Sequence, residues 1–482
     1  MESDSALRSA VEGRGPSSAG AASAASRRIL IGILGVSLLL RILLIVSGGQ
    51  DYWPDELRYG RSRFALQAIR IGAWRPARKA LSPPEHVLFN LLSLVPAALE
   101  PPARPDSRIP ALFFALFSVA SILLIYGILR RLGEDARASC LGAFLLAAAT
   151  THLYYSRHLL PYDAALAFGL FALYAGLEDP ASVRASVLCG LLSCAAFLTY
   201  NGYWLLSGSA LLVHALRRPR TARSIVRRGI ASGAAFCLPL AALLGADRAS
   251  GGHLARDWVE FSGRVAQGVY SEGWKLPLAY LWHAEHSIAL LWAAACAYAA
   301  WRILRGDRGD ALMVGVAGVV LIYGGLILVS VGMERQVVYG RLVRQLVPFA
   351  CIVTAAILGR LWTASPGGRR AVGVLLAAVL VQAAVNFHRP LMQVFPREFR
   401  VLAQREAARV GSPTLILYAD HIYPVPLPVP AAGPTILARP HPLQFLPYQY
   451  EGYTPAERAI LRSTDIRMRL VLAAPGFGEP SR

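Results

Sequence analysis

Apolar runs, most of them near the roughly 20 residues a helix needs to cross a bilayer, recur from residue 29 to residue 387, and arginines cluster in alternate connections between them. Few folds are open to such a chain. Backbone that meets lipid must satisfy its own hydrogen bonds, so each run is a helix and the helices pack as a bundle. Candidate spans fall at 29–47, 109–129, 138–154, 164–177, 186–199, 203–216, 229–246, 286–301, 311–332, 343–361 and 371–387, about eleven in all. Composition agrees: 55% of the 482 residues are hydrophobic, 16% are charged, and the mean hydropathy is +0.44. One soluble core of this size could not bury so many apolar side chains.

A formal charge of +20 would suggest nucleic acid in a soluble protein. Here the bases sit in short stretches between apolar runs, which is the positive-inside signal and weighs against nucleic acid as a partner. Arg130, Arg131 and Arg137 share one connection, and Arg217, Arg218, Arg220, Arg223, Arg227 and Arg228 another. Arg302, Arg305 and Arg308 follow, then Arg369 and Arg370, so the alternation holds from a cytoplasmic N-terminus onward. It requires that the apolar stretch from His86 to Leu99 does not cross. That stretch is short and broken by Pro96, which predicts an amphipathic helix lying on the outer membrane surface. All six cysteines lie within apolar runs without metal-site spacing and read as small core residues.

The expected architecture is thus an α-helical polytopic membrane protein. Residues 1–26 form a disordered cytoplasmic tail, rich in Ala, Ser and Gly. Residues 27–388 form the transmembrane domain, with long outer loops at 48–108 and 247–285. Residues 389–482 form a small extracytoplasmic C-terminal α/β domain, with a helix at Arg397 to Val410, strands at Thr414 to Tyr418 and Arg467 to Ala473, and a proline-rich loop from Pro424 to Pro434.

Carboxylates held at a membrane face normally have chemistry to do or a partner to meet. Asp55 and Glu56, in DYWPDELRYG just after the first span, are an acid pair suited to taking a proton from a hydroxyl nucleophile. Asp55 as a helix cap is the plainer alternative. Arg58 and Tyr59 follow, and on a helix they share a face with Asp55, which could hold a base beside a phosphate-binding cation or merely a surface ion pair. Asp163, in SRHLLPYDAA, falls on the same outer side. An acid there is costly, about 2.5–3.5 kcal/mol at the bilayer centre and less at the interface, so a function or a partner such as Arg157 or His158 must use it. Glu85 and His86 open the interfacial helix, where an acid also complements the helix dipole. In VVYGRLVRQLVPF, Tyr339, Arg341 and Arg344 stand at the outer end of the tenth span, where arginine opposes the positive-inside rule. Binding an anionic headgroup or snorkelling to the interface would account for them, and Arg41 poses the same choice. HAEH, His283 to His286, lacks zinc-peptidase spacing and a third ligand nearby.

Taken in order, WPDELRY after the first span, DSRIPALFFALFSV with Arg108, RRLG at Arg130 to Gly133, SRHLLPYDAALAF and RLVRQLVPF resemble the GT-C superfamily of polyprenyl-phosphate-dependent glycosyltransferases. The resemblance is to the family 39 type, which includes protein O-mannosyltransferases and lipid A aminoarabinose transferases. It spans roughly the first two thirds of the chain and leaves the C-terminal tail unmatched. It implies that Asp55 is the catalytic base with Glu56 beside it, and that Asp163 assists from the next outer loop. Where the family often has His-Pro-Pro or Glu-Lys-Pro, this chain reads SPPEHV, Ser82 to Val87, with Glu85 in the acid's place.

A sugar on a lipid phosphate is already activated, so such an enzyme needs a base for the acceptor hydroxyl and cations for the departing phosphate. The implied partners are a polyprenyl-phosphate-linked sugar donor, the bilayer, and a protein, lipid or glycan acceptor. No cofactor is demanded, and a divalent cation stays open. The competing class is a multi-pass transporter or lipid flippase. Two similar halves and charges near mid-membrane would mark it, whereas here no repeat is evident and the acids gather at one face. A non-catalytic relative is a third reading, against which Asp55, Glu56 and Asp163 argue.

Overall fold

A computed structural model describes residues 16–48, 59–81, 86–101, 107–179, 182–217, 221–265, 270–338, 340–388 and 392, with strand segments at 414–418, 435–439 and 469–473. The first helix, α1, runs Pro16–Ser47, followed by α2 (Tyr59–Arg70), α3 (Trp74–Leu81), α4 (Val87–Leu92) and α5 (Leu94–Leu99). Next come α6 (Arg108–Arg131), α7 (Ala136–Ala148), α8 (Thr150–Tyr155), α9 (Tyr162–Gly176), α10 (Val183–Thr199), α11 (Trp204–Leu216) and α12 (Ala222–Ala249). The bundle continues through α13 (Leu254–Val265), α14 (Leu276–Glu285), α15 (Ser287–Leu304), α16 (Asp310–Ile327), α17 (Gly340–Val343), α18 (Val347–Ala364) and α19 (Pro366–Phe387). The spans expected from sequence fall on helices, but 138–154 is split at Ala149 into α7 and α8, and 343–361 passes from the end of α17 through a 3-10 turn at Arg344–Leu346 into α18. Among the described residues seven helical stretches are long and apolar enough to cross a bilayer, whereas α7, α9 and α10 are shorter apolar helices.

Local chemistry sets the helix starts. Asp135 accepts from the Ala138 N–H at 2.7 Å, Thr221 from Ser224 at 3.2 Å, and Ser365 from Gly368 at 2.9 Å, each satisfying a donor the helix cannot. One expectation is corrected here: α1 begins at Pro16, so residues 16–26 are helical instead of a disordered tail. Their alanines have the highest helix propensity and continue the apolar run upstream. The stretch from His86 is also two short helices in place of one. Ser93 bonds back to the Phe89 carbonyl at 2.7 Å, and Pro96 has no N–H to offer the preceding turn. Six residues rise only about 9 Å, too little to cross.

The connections sort to two ends as the arginine parity predicted. At one end Arg131 donates to the Tyr174 carbonyl at 2.6 Å, Arg217 to the Leu177 and Glu178 carbonyls, and Asp307 joins Arg302 at 2.9 Å and Arg360 at 2.5 Å. At the other end Arg341 reaches Tyr162, His86 packs on Tyr200, and Arg78 donates to the Ser250 carbonyl at 3.2 Å. Large apolar side chains such as Leu39, Leu116, Leu238 and Leu380 face outward from their helices, as a lipid-facing surface requires. The continuous stretch Gly340–Ala364 instead lies almost wholly inside the bundle.

Small residues let the helices close up. At Gly190 a Cβ would come within 2.2 Å of the Ser232 carbonyl oxygen on α12 and 2.6 Å of Ala235 Cβ. Gly190→Ala is therefore expected to destabilise the fold by about 1–3 kcal/mol, seen as a lower thermal midpoint in detergent. An unchanged midpoint would mean that the two helices separate freely.

Beyond α19 the chain contributes three strands, β1 (Thr414–Tyr418), β2 (Thr435–Arg439) and β3 (Arg469–Ala473), in the order β2-β1-β3. β1 pairs parallel with β2, Thr414 opposite Thr435, and antiparallel with β3, Thr414 opposite Ala473. Two of these strands were expected. The strand TILAR at β2 was not; it directly follows the proline-rich stretch from Pro424 to Pro434 that reads as loop. The helix expected at Arg397 to Val410 lies outside the described residues.

Candidate active site

Asp163 opens α9 and is buried, and the partner that compensates it is Arg344, which is fully enclosed between α17 and α18. Sequence had offered Arg157 or His158 for this role. Arg157 instead bonds to His158 at 3.3 Å and donates to the Met392 carbonyl at 2.8 Å, tying the SRHLLPYD segment to the chain beyond α19. Nη2 of Arg344 donates to Asp163 and, at 3.0 Å, to Nδ1 of His152 on α8. Its Nε and Nη1 make no hydrogen bond among the described residues.

The ring of His152 continues the network inward. Nε2 lies 3.0 Å from the Ser118 carbonyl oxygen and 3.1 Å from Ser118 Oγ, and that hydroxyl receives Nε and Nη2 of Arg41 at 3.0 and 2.8 Å. Arg41 is thus neither snorkelling nor bound at the surface; it is buried, with its remaining donor on the Ser37 carbonyl at 2.9 Å. Among the described residues this interior holds two arginines, Arg41 and Arg344, and the carboxylate of Asp163, with the buried Glu285 carboxylate on the two N–H groups just before His152.

Tyrosines surround the outer side of the pair. Arg341 Nη1 donates to the Tyr162 hydroxyl at 2.8 Å, and the Tyr203 hydroxyl donates to the Arg341 carbonyl at 3.2 Å. The Tyr162 and Tyr200 rings meet edge to face at 4.8 Å, and His86 packs at 5.3 Å from Tyr200. Arg344 stands 5.3 Å over the Tyr155 ring. Gln345 fixes the turn beneath them, accepting from the Leu206 N–H at 3.1 Å and donating to the Gly202 carbonyl at 3.2 Å. Gly202 is needed there, because a Cβ would strike the Tyr200 ring at 2.6 Å.

Of the residues singled out by sequence, the structure thus gathers Asp163, Arg344, Arg341 and His86. Asp55, Glu56, Arg58, Glu85 and Tyr339 lie outside the described residues. Tyr59, the first residue of α2, is buried, and its hydroxyl is bonded to Glu100. Arg63 pairs with the same carboxylate at 2.7 Å. Burial, and behind it the Glu100 carboxylate, hold the Tyr59 phenol far above its ordinary pKa, so it stays a donor. This anchors the chain three residues after Glu56. Tyr59→Phe leaves Glu100 with Arg63 alone and should cost about 1 kcal/mol. Faster tryptic cleavage at Arg58 is the expected sign; a wild-type rate would remove the anchor.

HAEH resolves into a structural role. Glu285 accepts from the Thr150 and Thr151 N–H groups at 2.9 and 2.7 Å and from the Thr151 hydroxyl at 2.7 Å, compensating the N-terminus of the helix that carries His152 and Tyr155. His286 beside it adopts φ 52° and ψ −120°, which turns the chain so that Glu285 points inward. Among the described residues no three His, Cys, Asp or Glu side chains form a metal-binding group.

No protein-family model matches the chain, and no curated protein matches it in sequence. Solved structures do. ArnT from Cupriavidus metallidurans bound to undecaprenyl phosphate superposes with a TM-score of 0.55 at 15% identity, covering 82% of each chain. The same protein in its apo state gives 0.53 at 15% identity over 83% of each. The archaeal oligosaccharyltransferase AglB from Archaeoglobus fulgidus gives 0.49 at 13% identity, covering 75% of this chain, which spans only 56% of that protein. The likeness to ArnT over most of both chains shows that this chain has the fold of ArnT, the fold that the resemblance to the GT-C superfamily implied.

Proposed function

We propose that the protein is a membrane glycosyltransferase that moves a sugar from a polyprenyl-phosphate donor to an acceptor hydroxyl on the extracytoplasmic side, inverting the anomeric carbon. The observation that carries this reading is Arg344: an enclosed cation whose Nε and Nη1 make no hydrogen bond among the described residues, held by Asp163 among tyrosines. The fold supports it, since ArnT, which shares that fold, has been seen with undecaprenyl phosphate bound.

In this mechanism Asp55 takes the proton of the acceptor hydroxyl, with Glu56 beside it, and the new bond forms on the face opposite the phosphate. Arg344, with Arg341 and Arg58, stabilises the phosphate as it departs through hydrogen bonds that strengthen while its negative charge grows. Asp163 works through Arg344, fixing the cation. Glu85, His86 and Tyr339 belong to the outer end that meets donor and acceptor, Tyr59 anchors the chain behind them through Glu100, and α4 with α13 guides the polyprenyl tail. The N-terminus is cytoplasmic, the C-terminal domain extracytoplasmic, and the membrane is the plasma membrane.

Purified protein in detergent, where no gradient exists, should consume a polyprenyl-phosphate sugar and release polyprenyl phosphate. Inertness toward all such donors, with gradient-dependent movement of a lipid or solute in vesicles, would establish the transporter instead.

A further inference from the structure

Among the described residues Arg344 is gripped at its Nη2 corner, by the Asp163 carboxylate and by His152, whose Nδ1 lies at 3.0 Å and whose carbonyl oxygen lies at the longer distance of 3.5 Å. We propose that His152 is a positioning residue, its Nδ1 holding the Arg344 guanidinium so that Nε and Nη1 face the anion. This rests on the reading above, in which that anion is the donor phosphate. An arginine donating to Nδ1 requires a lone pair there, so the ring proton is on Nε2, directed at the Ser118 carbonyl oxygen 3.0 Å away. Arg41 reinforces the arrangement. It occupies the Ser118 hydroxyl with two N–H donors, and with Arg344 it brackets the imidazole between two cations. A second proton on the ring would place a donor against Arg344 and a third positive charge in a fully buried interior.

The helix bearing His152 is itself held. Glu285 receives its first two N–H groups, and Asn386 donates to the Thr150 hydroxyl at 2.9 Å. His152 therefore presents one nitrogen to Arg344 from a fixed frame.

Two amide substitutions separate positioning from mere filling of space, because Asn places its oxygen near the position of Nδ1 and Gln near that of Nε2. His152→Asn keeps an acceptor for Arg344, whereas His152→Gln and His152→Leu do not. Undecaprenyl phosphate binding to the purified full-length variants, followed by tryptophan fluorescence, should weaken at least about tenfold for Gln and Leu but not for Asn. kcat/KM for polyprenyl-phosphate sugar should follow the same order, with thermal midpoints of Asn and Gln alike.

Equal behaviour of Asn and Gln, or absence of undecaprenyl phosphate binding by the wild type, overturns the proposal. Binding that splits Asn from Gln while no donor is consumed would leave positioning intact and remove glycosyl transfer. Transfer unaffected by any of the three substitutions would do the reverse.

Discussion

Asp163→Asn is expected to lower stability by about 3–5 kcal/mol, because it leaves the guanidinium of Arg344 enclosed in the bundle without a counter-charge. The double variant Asp163→Asn with Arg344→Gln should recover most of that loss, since both charges then leave the interior together. Transfer should not return, because the cation that faces the leaving phosphate has gone with them. Thermal unfolding in detergent measures the first effect and donor consumption the second. Additive losses in the double variant would show that the two side chains do not depend on one another. Active double variant would show that Arg344 serves packing alone.

The second large effect concerns chemistry without stability. Asp55→Asn should cut transfer by about 10²–10⁴ while membrane abundance and melting stay at wild-type values. The amide keeps the shape of the side chain and cannot accept the proton. Donor binding should persist, because the phosphate is held by arginines, so undecaprenyl phosphate affinity serves as the control. Near-normal transfer by Asp55→Asn would rule that residue out as the base and move attention to Glu56.

Much of the bundle was legible because lipid imposes two strong rules, helical backbone and basic cytoplasmic connections. The parity argument brought Asp163, Arg341 and His86 to one end before any geometry was known, and the structure joins them through Tyr162 and Tyr200. The partner of Asp163 was not legible. Arg344 lies 181 residues away, and nothing local distinguishes it from Arg157, six residues upstream. His152 and Ser118 were missed for a different reason: single polar residues inside apolar runs carry no periodic signal. Tyr155, Tyr162 and Tyr200 stood between expected spans and Tyr203 opened one, positions where an aromatic girdle would be ordinary. Tyr59 was read as facing substrate, and only the position of Glu100, 41 residues on, reveals the bond its hydroxyl makes.

The enclosed stretch Gly340–Ala364 has a consequence for biogenesis. It is apolar enough to enter a bilayer by itself, yet once assembled it touches almost no lipid. Insertion and assembly are therefore separate events for this helix. Between them its buried arginine waits in hydrocarbon for a carboxylate already delivered by an earlier helix. A nascent chain that fails to dock there is left displaying a bare cation within the membrane, a mark by which quality-control proteases can tell an unfinished molecule from a finished one.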